Sequence, residues 1–195
     1  MNRIALASCL ALIAVLGCAD RFQAENTSSP AQFEGKDILI KPEGYREWIF
    51  VGSSLGLSYS ENSNAAKNPG STVDLGQYHN VYINPSSYKA FASSGRFPEG
   101  TILILELATA GVKTEPRLRG SYQNEFVALE AAVKDSKRFS EGWAYYSFDG
   151  PDGKPLTKAR PLPKDRCWSC HDQKADTDNV FTQFYPVLRA VAPKQ

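Results

Sequence analysis

One pentapeptide, Cys167-Trp168-Ser169-Cys170-His171, constrains this chain more than any other stretch. Two thiols three residues apart, with an imidazole directly after the second, form the C-x-x-C-H signature of covalent c-type haem attachment. The spacing has a mechanical basis: two thioethers grip one edge of the macrocycle while the adjacent imidazole reaches the iron as axial ligand. A zinc site would need four ligands, and the only other histidine, His79, lies far upstream. A redox dithiol would open a helix in a βαβ unit, which the sequence does not show. The motif also sits near the C-terminus, after several strand-like segments. That order argues against a small helical cytochrome c, in which the motif comes early in a largely helical domain.

The four cysteines place the motif in a compartment. Asn2 and Arg3 followed by the apolar run Ile4 to Gly17 read as a secretory signal over residues 1–17, too short for a membrane span. Cys9 would leave with it. Val15-Leu16-Gly17-Cys18 is similar to the bacterial lipoprotein signal, so Cys18 is expected to carry a lipid anchor; ordinary cleavage after Ala24 is the alternative. Residues 18–35 are polar and read as a tether, and residues 36–195 as the haem domain. The expected location is the periplasm. A net charge of +1 offers no polycation field for nucleic acid.

The domain reads as mainly β, an α+β single domain dominated by antiparallel sheet with a few short helices. Tyr78 to Ile83 alternates in polarity, Thr101 to Leu107 is apolar enough for burial on both faces, and Trp143 to Phe148 is aromatic-rich. Phe126 to Val133 is ambiguous between helix and strand. Pro42 to Phe50 reads as a helix, and Asn84-Pro85 as the cap and first position of another ending before Gly95. Asn179 to Arg189 is helix-like until Pro186 interferes.

Ligand supply then limits the iron. The only methionine is Met1, and the only second imidazole is His79 on a predicted strand. Electron carriers take a Met or His sixth ligand. Here one axial position is expected to stay open, which suits chemistry or gas binding.

Several segments across the domain resemble the cytochrome P-460 family and its cytochrome c′-beta relatives. They include Tyr45-Arg46-Glu47-Trp48, His79-Asn80-Val81-Tyr82, Tyr88-Lys89-Ala90-Phe91 and Phe97-Pro98-Glu99-Gly100-Thr101. Further along come Lys134-Asp135-Ser136-Lys137-Arg138-Phe139, the haem motif itself and Tyr185-Pro186-Val187-Leu188. The resemblance implies a β-dominated, homodimeric periplasmic cytochrome with one five-coordinate haem c, held by Cys167 and Cys170 with His171 on the iron. P-460 members carry an extra lysine–porphyrin bond and oxidise hydroxylamine or nitric oxide, passing electrons to a redox partner cytochrome. The c′-beta relatives bind nitric oxide or carbon monoxide without that bond.

For the cross-link, Lys89 is the candidate and Lys113 the weaker one; a solvated surface lysine is the plainer reading. Glu106, in an apolar strand, either relays protons beside the haem or points outward at a strand end. Arg46 either donates to a bound ligand or propionate, or pairs with Glu43 or Glu47 at the surface.

Overall fold

Fully buried positions recur at every second residue along Ile104 to Ala110 and Leu129 to Val133, the pattern of strands with one face in a core, while Ile102 to Leu105 is apolar on both faces. The computed structural model describes residues 31–57, 76–151 and 153–193. The expected signal peptide and most of the tether, with Cys18, lie outside the described residues. Strands β1 (Gln32–Glu34) and β2 (Ile38–Ile40) are followed by β3 (Ile49–Leu55), β4 (Gln77–Ile83) and helix α1 (Pro85–Ser94). Then come the long strands β5 (Ile102–Glu115) and β6 (Leu118–Lys134), and β7 (Trp143–Ser147) and β8 (Lys158–Ala159). Helices α2 (Trp168–Lys174) and α3 (Pro186–Val191) close the chain.

Strands β3-β4-β5-β6-β7 form one antiparallel sheet in sequence order, and β1-β2-β8 a smaller one. Sequential antiparallel neighbours need no crossover connection, and α1 lies within the link from β4 to β5. On one face Ile102, Ile104, Leu129, Ala131 and Tyr146 pack with Leu39 and Ala159 of the small sheet. On the other, Val81, Ile83, Leu103 and Tyr145 pack with Phe91, Leu188, Cys167 and Trp168. The haem motif therefore belongs to the helical side of the large sheet.

One ambiguity of the sequence resolves and two expectations change. Phe126 to Val133 is strand, because Leu129, Ala131 and Val133 alternate with residues of the opposite face. Pro42 to Phe50 is not a helix: only Tyr45–Glu47 forms a 3-10 turn, entered through Gly44 at φ 67°, and Ile49 already pairs with Ile83. Pro186 does not break the final helix but starts it, where its missing N–H costs nothing. Gln32–Glu34, which the sequence reading assigned to a tether, pair with β2, and Phe33 packs against Phe139 and Tyr146.

Asn84 does sit at the cap of α1, but its side chain works elsewhere. Its Oδ1 accepts from the Ile102 amide at 2.9 Å and its Nδ2 donates to Ser86 Oγ at 2.9 Å. The cap residue thus ties α1 to β5, the strand that forms the wall of the site described next.

Candidate functional site

Cross-strand register assembles the wall. Facing the helical side, one row runs Ile83, Leu103, Ala132, Tyr145 and the next runs Val81, Leu105, Glu130, Ser147. Residues directly opposite each other share a face. Opposite this wall, Cys167 caps α2 while Cys170 and His171 follow at helical spacing. Positions i, i+3 and i+4 lie on one side of a helix, so both thiols and the imidazole turn together toward the wall. Between them lies an apolar cleft, open at its mouth, lined by Val81, Leu103, Leu105 and Tyr145 with Cys167, Cys170 and His171.

His171 is positioned on all sides. Its ring lies 4.4 Å from Tyr145 and 4.4 Å from Phe181, centroid to centroid. Its Nδ1 lies 2.8 Å from the Asn179 carbonyl oxygen. A carbonyl only accepts, so Nδ1 carries the proton and Nε2 keeps a free lone pair, the tautomer a metal ligand needs. Burial lowers the basicity of His171, opposed by the Asn179 hydrogen bond. The neutral form is favoured.

Cys167 and Cys170 are free thiols, both partly exposed. Burial first, and the Glu130 carboxylate next, push the Cys167 thiol up to about 11. The donor set fits a c-type haem: two unpaired thiols, a neutral imidazole held by its far nitrogen, apolar walls, and Arg166 at the margin as a cation for propionates.

The remaining candidates scatter. Glu106 and Arg46 meet each other, not His171. Glu106 is buried, faces away from the cleft, and accepts hydrogen bonds from Tyr45 Oη and Arg46 Nη2. Arg46 also lies over the Phe126 ring at 4.8 Å. Neither surface pairing expected for Arg46 occurs, because the 3-10 turn swings it onto Glu106. This pair pins the turn before β3 to the back of the sheet. Replacing Glu106 with Ala is expected to cost about 1–3 kcal/mol, since the Tyr45 hydroxyl loses its acceptor. Urea unfolding checks this, and the haem spectrum is expected not to change.

Lys89 stands exposed on α1 and is not among the cleft-lining residues. Lys113 lies far out on the β5–β6 hairpin, 3.4 Å from Glu115. His79 pairs with Leu107 on the same sheet face as the wall, one row beyond Val81, but does not line the cleft.

Sequence reasoning missed Glu130, the one Asp or Glu in the cleft lining among the described residues. It is mostly buried, and its proton affinity is raised by burial, then by Asp149, against the pull of Arg166. The signal was present in Leu129-Glu130-Ala131-Ala132-Val133, a carboxylate alternating against three apolar residues, but only if the segment is read as strand.

The chain matches the family model for cytochrome P460 over residues 42–182, a span that includes the wall strands, the thiols and His171. No curated protein matches it.

Proposed function

Because the chain belongs to the cytochrome P460 family, a family of haem-binding cytochromes, we propose that it is a periplasmic mono-haem cytochrome that oxidises hydroxylamine or nitric oxide. Cys167 and Cys170 would hold haem c covalently and His171 would supply the axial imidazole. The bound haem supplies the electron-accepting centre and a place for a small nitrogenous ligand. Everything else is the work of the chain's own side chains.

The observation that carries the reading is the composition of the wall facing His171. Val81, Leu103 and Leu105 exclude water, and Glu130 is placed among them. Oxidation of hydroxylamine, or of nitric oxide with water, releases protons as electrons leave. A partly desolvated carboxylate in the lining of the cleft, as Glu130 is, would be suited to accept them. No Met or second imidazole lines the cleft among the described residues, so no such side chain there would compete with His171 for the iron.

Anaerobic mixing with hydroxylamine and an artificial electron acceptor tests the reading. Sustained acceptor reduction is expected. Nitric oxide binding without any turnover would overturn the oxidase reading in favour of a gas-binding cytochrome c′-beta-like protein. That second reading is favoured by one observation: neither Lys89 nor Lys113 reaches the cleft, so neither is placed for a porphyrin cross-link. A haem peptide carrying Tyr88-Lys89 is expected at its unmodified mass.

In the same reading Cys18 anchors the protein as a lipoprotein, a cytochrome accepts its electrons, and two copies form a homodimer. The exposed apolar residues Leu118 and Phe126 on the β5–β6 hairpin support the dimer. Changing both to Glu is expected to give a monomer by analytical ultracentrifugation.

A further inference from the structure

Among the described residues, three that are not glycine have positive φ: Arg117 in the hairpin turn, and the neighbours Asp178 (φ 47°) and Asn179 (φ 60°). Thr177 and Val180 bridge across that pair, with the Val180 amide 2.8 Å from the Thr177 carbonyl. Two consecutive positive φ values inside a two-residue loop mark a type I′ turn, which Asp and Asn tolerate better than other side chains.

The turn is gripped from the sheet. Asp178 Oδ1 accepts from Trp143 Nε1 at 3.1 Å, and Asp178 Oδ2 accepts from Lys134 Nζ at 2.6 Å. Lys134 Nζ also donates to the Phe97 carbonyl at 2.8 Å. Anchored this way, the turn aims the Asn179 carbonyl at His171. That oxygen takes two donors, His171 Nδ1–H at 2.8 Å and the Tyr145 hydroxyl at 3.3 Å.

We propose that the Thr177–Val180 turn is a positioning device for His171, in which Asp178, held by Lys134 and Trp143, fixes the Asn179 carbonyl, and Tyr145 moderates how strongly that carbonyl polarises the imidazole. An Nδ1–H bonded to an acceptor makes the ring a stronger donor at Nε2 and favours the oxidised metal. A second donor on the same oxygen competes for its lone-pair charge and weakens that effect. Asp178 and Asn179 act through His171 and are positioning residues only.

The inference rests on haem bound at Cys167 and Cys170 with His171 as ligand. Its test is the midpoint potential, together with the iron–histidine stretching frequency of the ferrous protein, in variants whose covalent haem content is measured alongside. Asp178→Ala releases the carbonyl. The potential is expected to rise by about 59 mV, a tenfold shift in preference toward reduced iron, and the stretching frequency to fall. Tyr145→Phe frees the carbonyl for His171 alone, so the potential is expected to fall and the frequency to rise. Asp178→Asn keeps an acceptor for Trp143 and the turn preference, and is expected to lie close to wild type.

Opposite signs for Asp178→Ala and Tyr145→Phe support the device; a purely structural role would not move them in opposite directions. Shifts of the same sign, or no shift with full haem content, overturn it. Should Asp178→Ala fail to fold, the inference stands on a lowered potential in Tyr145→Phe, and falls if that variant is unchanged. Absence of covalent haem from the wild-type chain would instead refute the haem assignment.

Discussion

Replacing both Cys167 and Cys170 with Ser is expected to abolish covalent haem, so that acidified organic solvent extracts all the haem the protein retains. Either single variant is expected to keep one thioether. The two thiols sit at the N-cap and third residue of α2, on the same side as His171, and neither is in a disulfide. Thioethers make the cofactor part of the chain, and without them retention depends on the apolar cleft and one imidazole. Mass spectrometry of the intact protein reads the result directly: a wild-type mass raised by one haem, and a double variant at the bare polypeptide mass. His171→Ala separates attachment from ligation. It is expected to keep the haem mass and lose the axial imidazole spectrum.

The second large effect falls on Glu130. Glu130→Gln keeps the shape of the side chain and removes its capacity to accept a proton. A positioned general base contributes typically 10²–10⁴-fold, so turnover of hydroxylamine is expected to fall by about 10²-fold or more, with haem content intact. Burial first, and then Asp149, raise the proton affinity of Glu130. The wild-type rate is therefore expected to rise with pH through a limb above the ordinary carboxylate range, and the variant to lack that limb. Lost stability would not explain the change. A carboxyl raised in the native state favours the fold below its unfolded value, and that contribution disappears as pH rises through the folded value. Gln carries no such loss, so Glu130→Gln is expected to be at least as stable as wild type at pH 8 in urea unfolding.

Glu106 and Glu130 show what could be read from the sequence and what could not. Both are carboxylates in apolar strands, and alternation says that each faces one side of a sheet. Which side depends on register and on what covers each face, and neither is local information. Glu106 pairs with Leu129 across the strands and faces the small sheet, where Tyr45 and Arg46 satisfy it. Glu130 pairs with Leu105 and lines the same cleft as His171. The haem motif was legible because its geometry is local: three side chains within one turn and a half of helix. The strands Tyr78 to Ile83, Thr101 to Leu107 and Trp143 to Phe148 were legible for the same reason, since period-two or continuous apolar patterning is visible in a short window.

The misreadings share one cause. Pro42 to Phe50 has helix-compatible composition, but Gly44 and the pull of Glu106 on Tyr45 and Arg46 limit it to one turn. Pro186 reads locally as a helix breaker, whereas its position just after the 3-10 turn Thr182–Phe184 makes it a helix start. The Asn179 carbonyl could not be foreseen, because a backbone oxygen becomes a ligand-orienting group only through the turn that aims it.

In the proposed reading His171 is the only protein ligand to the iron, and the cleft lined by Val81, Leu105 and Glu130 leaves room for a small ligand. The optical spectrum of the dithionite-reduced protein, recorded before and after adding carbon monoxide, tests it most directly. A high-spin spectrum that converts fully to a carbon monoxide complex is expected. A low-spin spectrum that persists without added ligand, resists carbon monoxide and turns high-spin in His79→Ala would contradict it.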